Sequence, residues 1–109
     1  MSSHDERRRL PRRRTRLSAA AVSEEAVVAC TIRDKSEGGA RLLIQTGSTV
    51  PDSFHLVELT TGELHRAQVV WRDAAFVGVT LHETRNLTLE PRAEDQPFVA
   101  IRERLTARR

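Results

Sequence analysis

Short segments with strand character, set about ten residues apart, constrain the fold of this chain more than any other feature. Each is β-branched or apolar at alternate positions, and breakers such as Gly38-Gly39 and Thr61-Gly62 separate them. Strands this short and evenly spaced are typical of a small antiparallel barrel or sandwich. The predicted strands are 17–22, 27–33, 40–45, 54–59, 66–72 and 76–81.

The alternation also predicts which side chains face the interior. In the second segment Val28, Cys30 and Ile32 share one face, so we expect Cys30 to be a buried small hydrophobe. In the fifth segment Trp71 falls on the same face as Val69, and this spacing predicts a tryptophan in the core.

The pattern of alternating strands is lost beyond Leu81. Residues 84–97 include two prolines and predict irregular chain. Further on, Phe98, Ile101 and Leu105 recur near helical spacing, which predicts a short amphipathic helix over 98–107.

The chain has 109 residues, which is the length of one domain. Charge is distributed unevenly along it. Residues 1–16 carry a net charge of +5, residues 17–97 carry −5 and residues 98–109 carry +3. Of the 18 basic residues, Lys35 is the only lysine. A general nucleic-acid binder more often spreads positive charge over a folded face, so this pattern argues against a nucleic-acid partner.

Other function classes find little support in the sequence. No apolar run is long enough to insert into a membrane, and no apolar segment follows the charged N-terminus, so we expect neither membrane insertion nor a secretory leader. The single cysteine predicts the reducing cytoplasm as the compartment. No catalytic motif and no metal-ligand spacing of histidines is present, so we expect neither an enzyme nor a metal site.

An arginine-rich arm is the first motif with candidate binding chemistry. Residues 7–16 read RRRLPRRRTR and include Arg8-x-x-x-Arg12, although Arg9/Arg13 and Arg12/Arg16 fit the same spacing. Pro11 disfavours a helix at the preceding residue, and the stretch has almost no apolar content. We expect a mobile arm whose guanidinium groups can bind phosphate or a guanine edge with two hydrogen bonds.

The second motif is Asp34-Lys35-Ser36-Glu37-Gly38-Gly39, which fits D-x-S-x-x-G. The Asp34 carboxylate is a suitable acceptor for a group that presents adjacent N–H donors. Ser36 can donate to a phosphate or close the turn, and Gly39 permits a close approach that a Cβ would block.

Taken together, these motifs resemble a PilZ domain over roughly residues 6–82. The resemblance also includes the strand Val-Val-Trp-Arg at 69–72 and the strand Phe-Val-Gly-Val at 76–79. The stretch CTIRDKSEGGARL resembles in particular the compact single-domain PilZ proteins of alphaproteobacteria. Lys35 departs from the family pattern, which is often apolar at this position.

The resemblance implies a six-stranded antiparallel β-barrel with a C-terminal helix, and cyclic di-GMP as the ligand. It implies no other cofactor. The domain division that we expect is a basic arm at 1–13, a barrel at 14–82, and an irregular segment with the helix at 83–109. The implied ligand-binding residues are Arg8, Arg9, Arg12, Arg13, Asp34, Ser36, Gly38 and Gly39.

The predicted mechanism is a switch in which the nucleotide orders the arm and changes the surface shown to an unidentified protein effector. Two alternatives stay open from the residues. One is a small nucleic-acid-binding barrel with a basic arm, and the other is a PilZ-like interaction module that does not bind nucleotide.

Overall fold

The computed structural model describes residues 13–89 and 91–107. Six strands and one helix follow each other along the chain, with a 3-10 turn at Ala93–Asp95 before the helix. The elements are β1 Arg13–Val22, β2 Val27–Ser36, β3 Gly39–Ile44, β4 Ser53–Glu58, β5 Glu63–Asp73, β6 Phe76–Asn86 and α1 Gln96–Thr106.

The six strands form one closed antiparallel barrel in the order β1-β2-β3-β6-β5-β4. Four neighbouring pairs are hairpins between consecutive strands. The barrel is closed by the pairing of β3 with β6 and of β1 with β4. The predicted six-stranded barrel is therefore confirmed, with each predicted strand found in its place.

The barrel interior is filled by apolar side chains from every strand. The prediction for β2 is confirmed, since Val28, Cys30 and Ile32 are all buried. Burial raises the pKa of the Cys30 thiol to about 12, which keeps it protonated and inert. Other buried members of this core are Ala19, Ala21, Leu42, Ile44, Val50, Phe54, Leu56, Ala67, Val77 and Val79.

Strand β6 is longer than its sequence pattern predicts, and the expectation of irregular chain from residue 84 was wrong for its first three residues. Between the pairs Leu64↔Arg85 and Arg66↔His82, β6 has one residue more than β5. Glu83 takes a positive φ of 52° at this bulge. The extra residue breaks the alternation of apolar and polar side chains while backbone pairing continues to Asn86.

The C-terminal helix α1 is present where the spacing predicts it and packs against one end of the barrel. Phe98 and Val99 contact a second core cluster made by Val57, Leu64 and Leu87. No helix in the described part of the chain is long and apolar enough to span a membrane.

Polar contacts fix the position of α1 as well. Arg102 donates from Nε to the carbonyl of Leu59 at 2.8 Å and from Nη2 to that of Thr60 at 3.3 Å. At the start of the helix the buried Asp95 carboxylate accepts hydrogen bonds from Arg85 of β6. The helix is thereby tied to the β4–β5 turn and to the end of β6.

A matched pair of leucines tests the core assignment. Leu42 is fully buried, whereas Leu89 is 70% exposed. Leu42→Ala should lower the free energy of unfolding by about 3 kcal/mol, because it removes packing and leaves a cavity. Leu89→Ala should change it by less than about 0.5 kcal/mol. Urea denaturation measures both, and equal losses in the two variants would contradict the fold.

Candidate functional site

A row of five residues crosses the barrel from strand to strand on its outer surface. Each residue is paired with the next across neighbouring strands, in the order Arg14 of β1, Asp34 of β2, Arg41 of β3, Gly78 of β6 and Trp71 of β5. We call these residues the outer row. Their faces follow from their neighbours, because Leu42, Val77 and Val79 are buried inside and adjacent strand positions point to opposite sides.

A bulge at Arg33 places Asp34 in the outer row. Ile32 pairs with Leu42 and Asp34 pairs with Arg41, so β2 has an extra residue that β3 lacks. Without the bulge, Asp34 would share the inward face of Ile32. With it, the direction of the side chains is reversed, and Asp34 faces outward beside Arg41.

A second bulge has the same effect on Trp71. Val69 pairs with Val79 and Trp71 pairs with Gly78, which leaves Val70 as the extra residue of β5. Trp71 is 42% exposed, so its predicted place in the core was wrong. The even spacing from Val69 indicates an inward face only while the strand is regular, and the bulge interrupts that regularity.

The Trp71 indole lies directly over Gly78. A Cβ built on Gly78 would come within 2.0 Å of the indole Nε1. Only glycine therefore lets the indole lie this close to β6, where Trp71 is still partly exposed to solvent. Trp71 is a candidate functional residue that the sequence reasoning missed, although a glycine between two interior valines was a signal of close packing.

A shallow pocket lies at the centre of the outer row. Its volume is about 120 Å³. Its walls combine the second sequence motif with residues of β3, β5 and β6. The lining residues include Asp34, Lys35, Ser36, Gly39, Arg41, Val70 and Trp71.

The charged wall of the pocket is a fixed ion pair. Arg41 donates from Nε to Asp34 Oδ2, and its guanidinium also lies 4.7 Å from the centroid of the Phe76 ring. A carboxylate has several acceptor positions, so this contact leaves Asp34 able to accept from a further donor. Arg41 likewise has N–H groups beyond the one directed at Asp34.

The β2–β3 hairpin forms the rim of the pocket. Ser36 pairs with Gly39, and the Ser36 hydroxyl lies 3.5 Å from the Gly39 carbonyl oxygen, a weak contact. A Cβ on Gly39 would come within 3.0 Å of the Val79 carbonyl oxygen, so any larger residue would be tightly packed against the backbone of β6. Gly38 is at the hairpin tip, where a Cβ would meet nothing within 4 Å.

Strand β1 leads the chain to this rim. Arg13 pairs with Lys35 and Arg14 pairs with Asp34. The predicted binding residues Arg8, Arg9 and Arg12 lie outside the described residues, as does the side chain of Arg13. The four predicted residues of the second motif are brought together at the rim.

Lys35 faces the opposite way from Asp34 and enters the end of the barrel. Its ammonium donates to Glu58 at 2.6 Å and to Glu63 at 2.9 Å. His65 Nε2 lies 2.7 Å from the same Glu58 oxygen, and Thr61 donates to the other oxygen at 2.8 Å. We call these five residues the barrel-end network.

The barrel-end network holds a deprotonated carboxylate away from water. Burial acts to raise the pKa of Glu58, but hydrogen bonds from His65, Lys35 and Thr61 outweigh it and lower that pKa to about 2. Glu58, Glu63 and His65 together have ligand atoms that could converge on a metal ion. The Lys35 ammonium already supplies the positive charge there, so the arrangement suits an internal ion pair better.

Replacement of Gly78 tests the contact with Trp71. Gly78→Ala should displace the indole, shift the emission of this single tryptophan, and lower the free energy of unfolding by about 1–3 kcal/mol. Gly38→Ala is the matched control and should change neither quantity appreciably. Fluorescence spectra and urea denaturation measure the two effects; unchanged emission in Gly78→Ala would contradict the contact.

The pKa of Glu58 predicts a loss of stability in acid. Its folded-state pKa of about 2 lies below the ordinary 4.5, so between these values the unfolded chain binds more protons. The free energy of unfolding should therefore fall as the pH is lowered from about 4.5 towards 2. Glu58→Gln should show a shallower fall when urea denaturation is repeated at each pH. Equal slopes in the two proteins would argue against the assignment.

Comparison with known proteins identifies the family. A family model described as PilZ domain matches residues 6–91, which is most of the chain. Neither the curated proteins nor the solved structures contain a significant match. The match extends over the outer row, the barrel-end network and the whole barrel. The chain therefore belongs to the PilZ family, a class of cyclic di-GMP-binding adaptor domains.

Proposed function

We propose that this protein is a cyclic di-GMP receptor that holds the nucleotide between the outer-row pocket and the basic arm, and passes the signal to a partner protein. The observation that carries the proposal is the strand register. Arg13 lies opposite Lys35 and Arg14 lies opposite Asp34, so the arm joins the barrel at the rim of the pocket.

Chain length makes the proposed arm contacts feasible. Each residue of an extended chain spans about 3.3–3.6 Å, so Arg8 can lie up to about 17 Å from Arg13. Residues 8–13 can therefore reach over the pocket without any change in the barrel. Cyclic di-GMP has two phosphates and two guanines, and both groups suit the arginine fork.

The pocket supplies complementary chemistry for one guanine. The open face of Trp71 can stack on a purine, a contact worth about 1–3 kcal/mol per base. Asp34 can accept from the guanine N1–H and N2–H₂ edge, and Arg41 can donate to an acceptor edge or to a phosphate.

The small size of the pocket supports a binding site with two walls, one formed by the pocket and the other by the basic arm. Ligand pockets are commonly about 300–1,000 Å³, whereas this one is about 120 Å³. A nucleotide that places one base here leaves its phosphates and second base outside the pocket. We propose that the arginines of the arm bind these remaining parts.

The proposed output is a change in the surface presented to a partner. Residues 1–16 have a net charge of +5, and a ligand with two negative phosphates reduces their mutual repulsion when it binds. Helix α1 is the candidate second part of the partner surface, since Leu105 is exposed at its C-terminal end. No output domain is needed in such an adaptor, because the partner carries the effect.

Calorimetric titration with cyclic di-GMP tests the proposal. The unsubstituted protein should bind in a saturable way, and Arg12→Ala and Asp34→Ala should each weaken binding about tenfold or more, because each removes a charge-assisted hydrogen bond. Arg104→Ala, an exposed arginine of α1, is the matched control and should bind as the parent does. Trp71 emission should change on binding, since the ring lies in the pocket wall.

A short DNA duplex in the same titration separates the alternatives. Binding of the duplex with a steep salt dependence, without binding of cyclic di-GMP, would identify a nucleic-acid-binding barrel instead. Binding of neither would leave the PilZ-like interaction module as the conclusion.

A further inference from the structure

We propose that Lys35 is a positioning residue for cyclic di-GMP, because it ties the ligand loop at Asp34–Gly39 across the end of the barrel to the buried carboxylate of Glu58. The inference rests on the proposed function. Lys35 is one of the residues that line the pocket, but its ammonium is directed away from Asp34, to the buried carboxylate at the end of the barrel.

The geometry of the Lys35 side chain supports this role. Strand β2 pairs with β1 and β3, whereas Glu58 lies in β4 and Glu63 in β5. The lysine stem therefore crosses the end of the barrel to reach carboxylates on strands that β2 does not pair with. One contact, at 2.6 Å to Glu58, thus fixes the spacing between the ligand loop and the far wall.

The partner carboxylate makes the contact strong. Glu58 is fully buried, and a buried charge requires a compensating charge and hydrogen bonds. Its other two contacts come from Thr61 and from His65. Lys35 contributes an ammonium group, so loss of this contact would leave the buried Glu58 carboxylate without that charged partner.

Because Lys35 lies between Asp34 and Ser36 in the chain, its contact with Glu58 also affects the side chains that line the pocket. Asp34 and Ser36 are its direct neighbours, and both line the pocket on the outer side. In a strand, holding one side chain inward sets the direction of its two neighbours outward. A loop released from Glu58 would therefore misplace the two groups that we propose contact the nucleotide.

The test compares Lys35→Met, Glu58→Gln and the double variant by calorimetric titration with cyclic di-GMP. Each single variant should bind about tenfold more weakly, since each removes the same charge-assisted contact. The double variant should bind no more weakly than the worse single one, because the two residues act as a unit. Backbone amide NMR signals of Asp34 and Ser36 should shift in both single variants of the free protein.

Val57→Ala is the control for a general loss of stability. Val57 is the fully buried neighbour of Glu58 in β4 and packs with Leu64 and Leu87 in the second core cluster. It should lower the melting temperature and leave the affinity for cyclic di-GMP unchanged. All titrations are made well below the melting temperature of each variant.

Three outcomes would overturn the inference. Loss of affinity in Lys35→Met with none in Glu58→Gln would mean that Lys35 contacts the nucleotide directly. Unchanged affinity in both variants would mean that the contact between Lys35 and Glu58 does not affect nucleotide binding. An equal loss of affinity in Val57→Ala would mean that the effect of the Lys35 and Glu58 variants comes from lower stability alone. Absence of binding by the unsubstituted protein would instead refute the proposed function, and the amide signals would still decide whether Lys35 anchors the loop.

Discussion

The bulge at Arg33 is the constraint on which the rest of this site depends. It reverses the alternation of β2 at one residue, so that Asp34 points out of the barrel and Lys35 points into it. A regular strand would direct a carboxylate into the apolar core and the ammonium out to solvent. Both charged groups therefore have their partners, Arg41 outside and Glu58 inside, because of a single extra residue.

Glu58, the inner partner of Lys35, also lies beside the turn that holds the C-terminal helix. Glu58 is the last residue of β4, and Thr61, which donates to it, belongs to the β4–β5 turn. Arg102 of α1 donates to two carbonyls of this turn, those of Leu59 and Thr60. Polar contacts on both sides of this turn, together with its backbone, thus connect the proposed ligand loop to the helix that we propose as part of the partner surface. Such contacts are a physical connection, and double-variant cycles would measure whether they carry coupling energy.

Much of the barrel could be predicted from the sequence, because its strands follow regular alternation. The faces of Val28, Cys30 and Ile32, and the helix after residue 96, follow from periodicity alone. The failures lie at bulges. One extra residue changes the face of every position beyond it, and neither Val70 nor Glu83 differs in type from an ordinary strand residue.

The same reason limits what the sequence could say about the site. D-x-S-x-x-G marks the proposed ligand loop, but it does not reveal that Trp71, 37 positions after Asp34, lies in the wall of the same pocket. Nor does spacing indicate that Lys35 meets Glu58 across the barrel, since the two strands are not neighbours in the sheet. These contacts depend on barrel closure, which is a property of all six strands together.

We propose that charge keeps the two parts of the site, the pocket and the basic arm, separate until a ligand joins them. The pocket wall already satisfies its own charges through the pair of Asp34 with Arg41. The arm has an excess of positive charge that this wall does not neutralise, since the wall's own acid is paired. A ligand that brings two phosphates together with a purine face satisfies both walls at once. Selectivity for such a nucleotide over a simple polyanion would then come from the Trp71 and Asp34 side, while the arginines supply most of the electrostatic attraction.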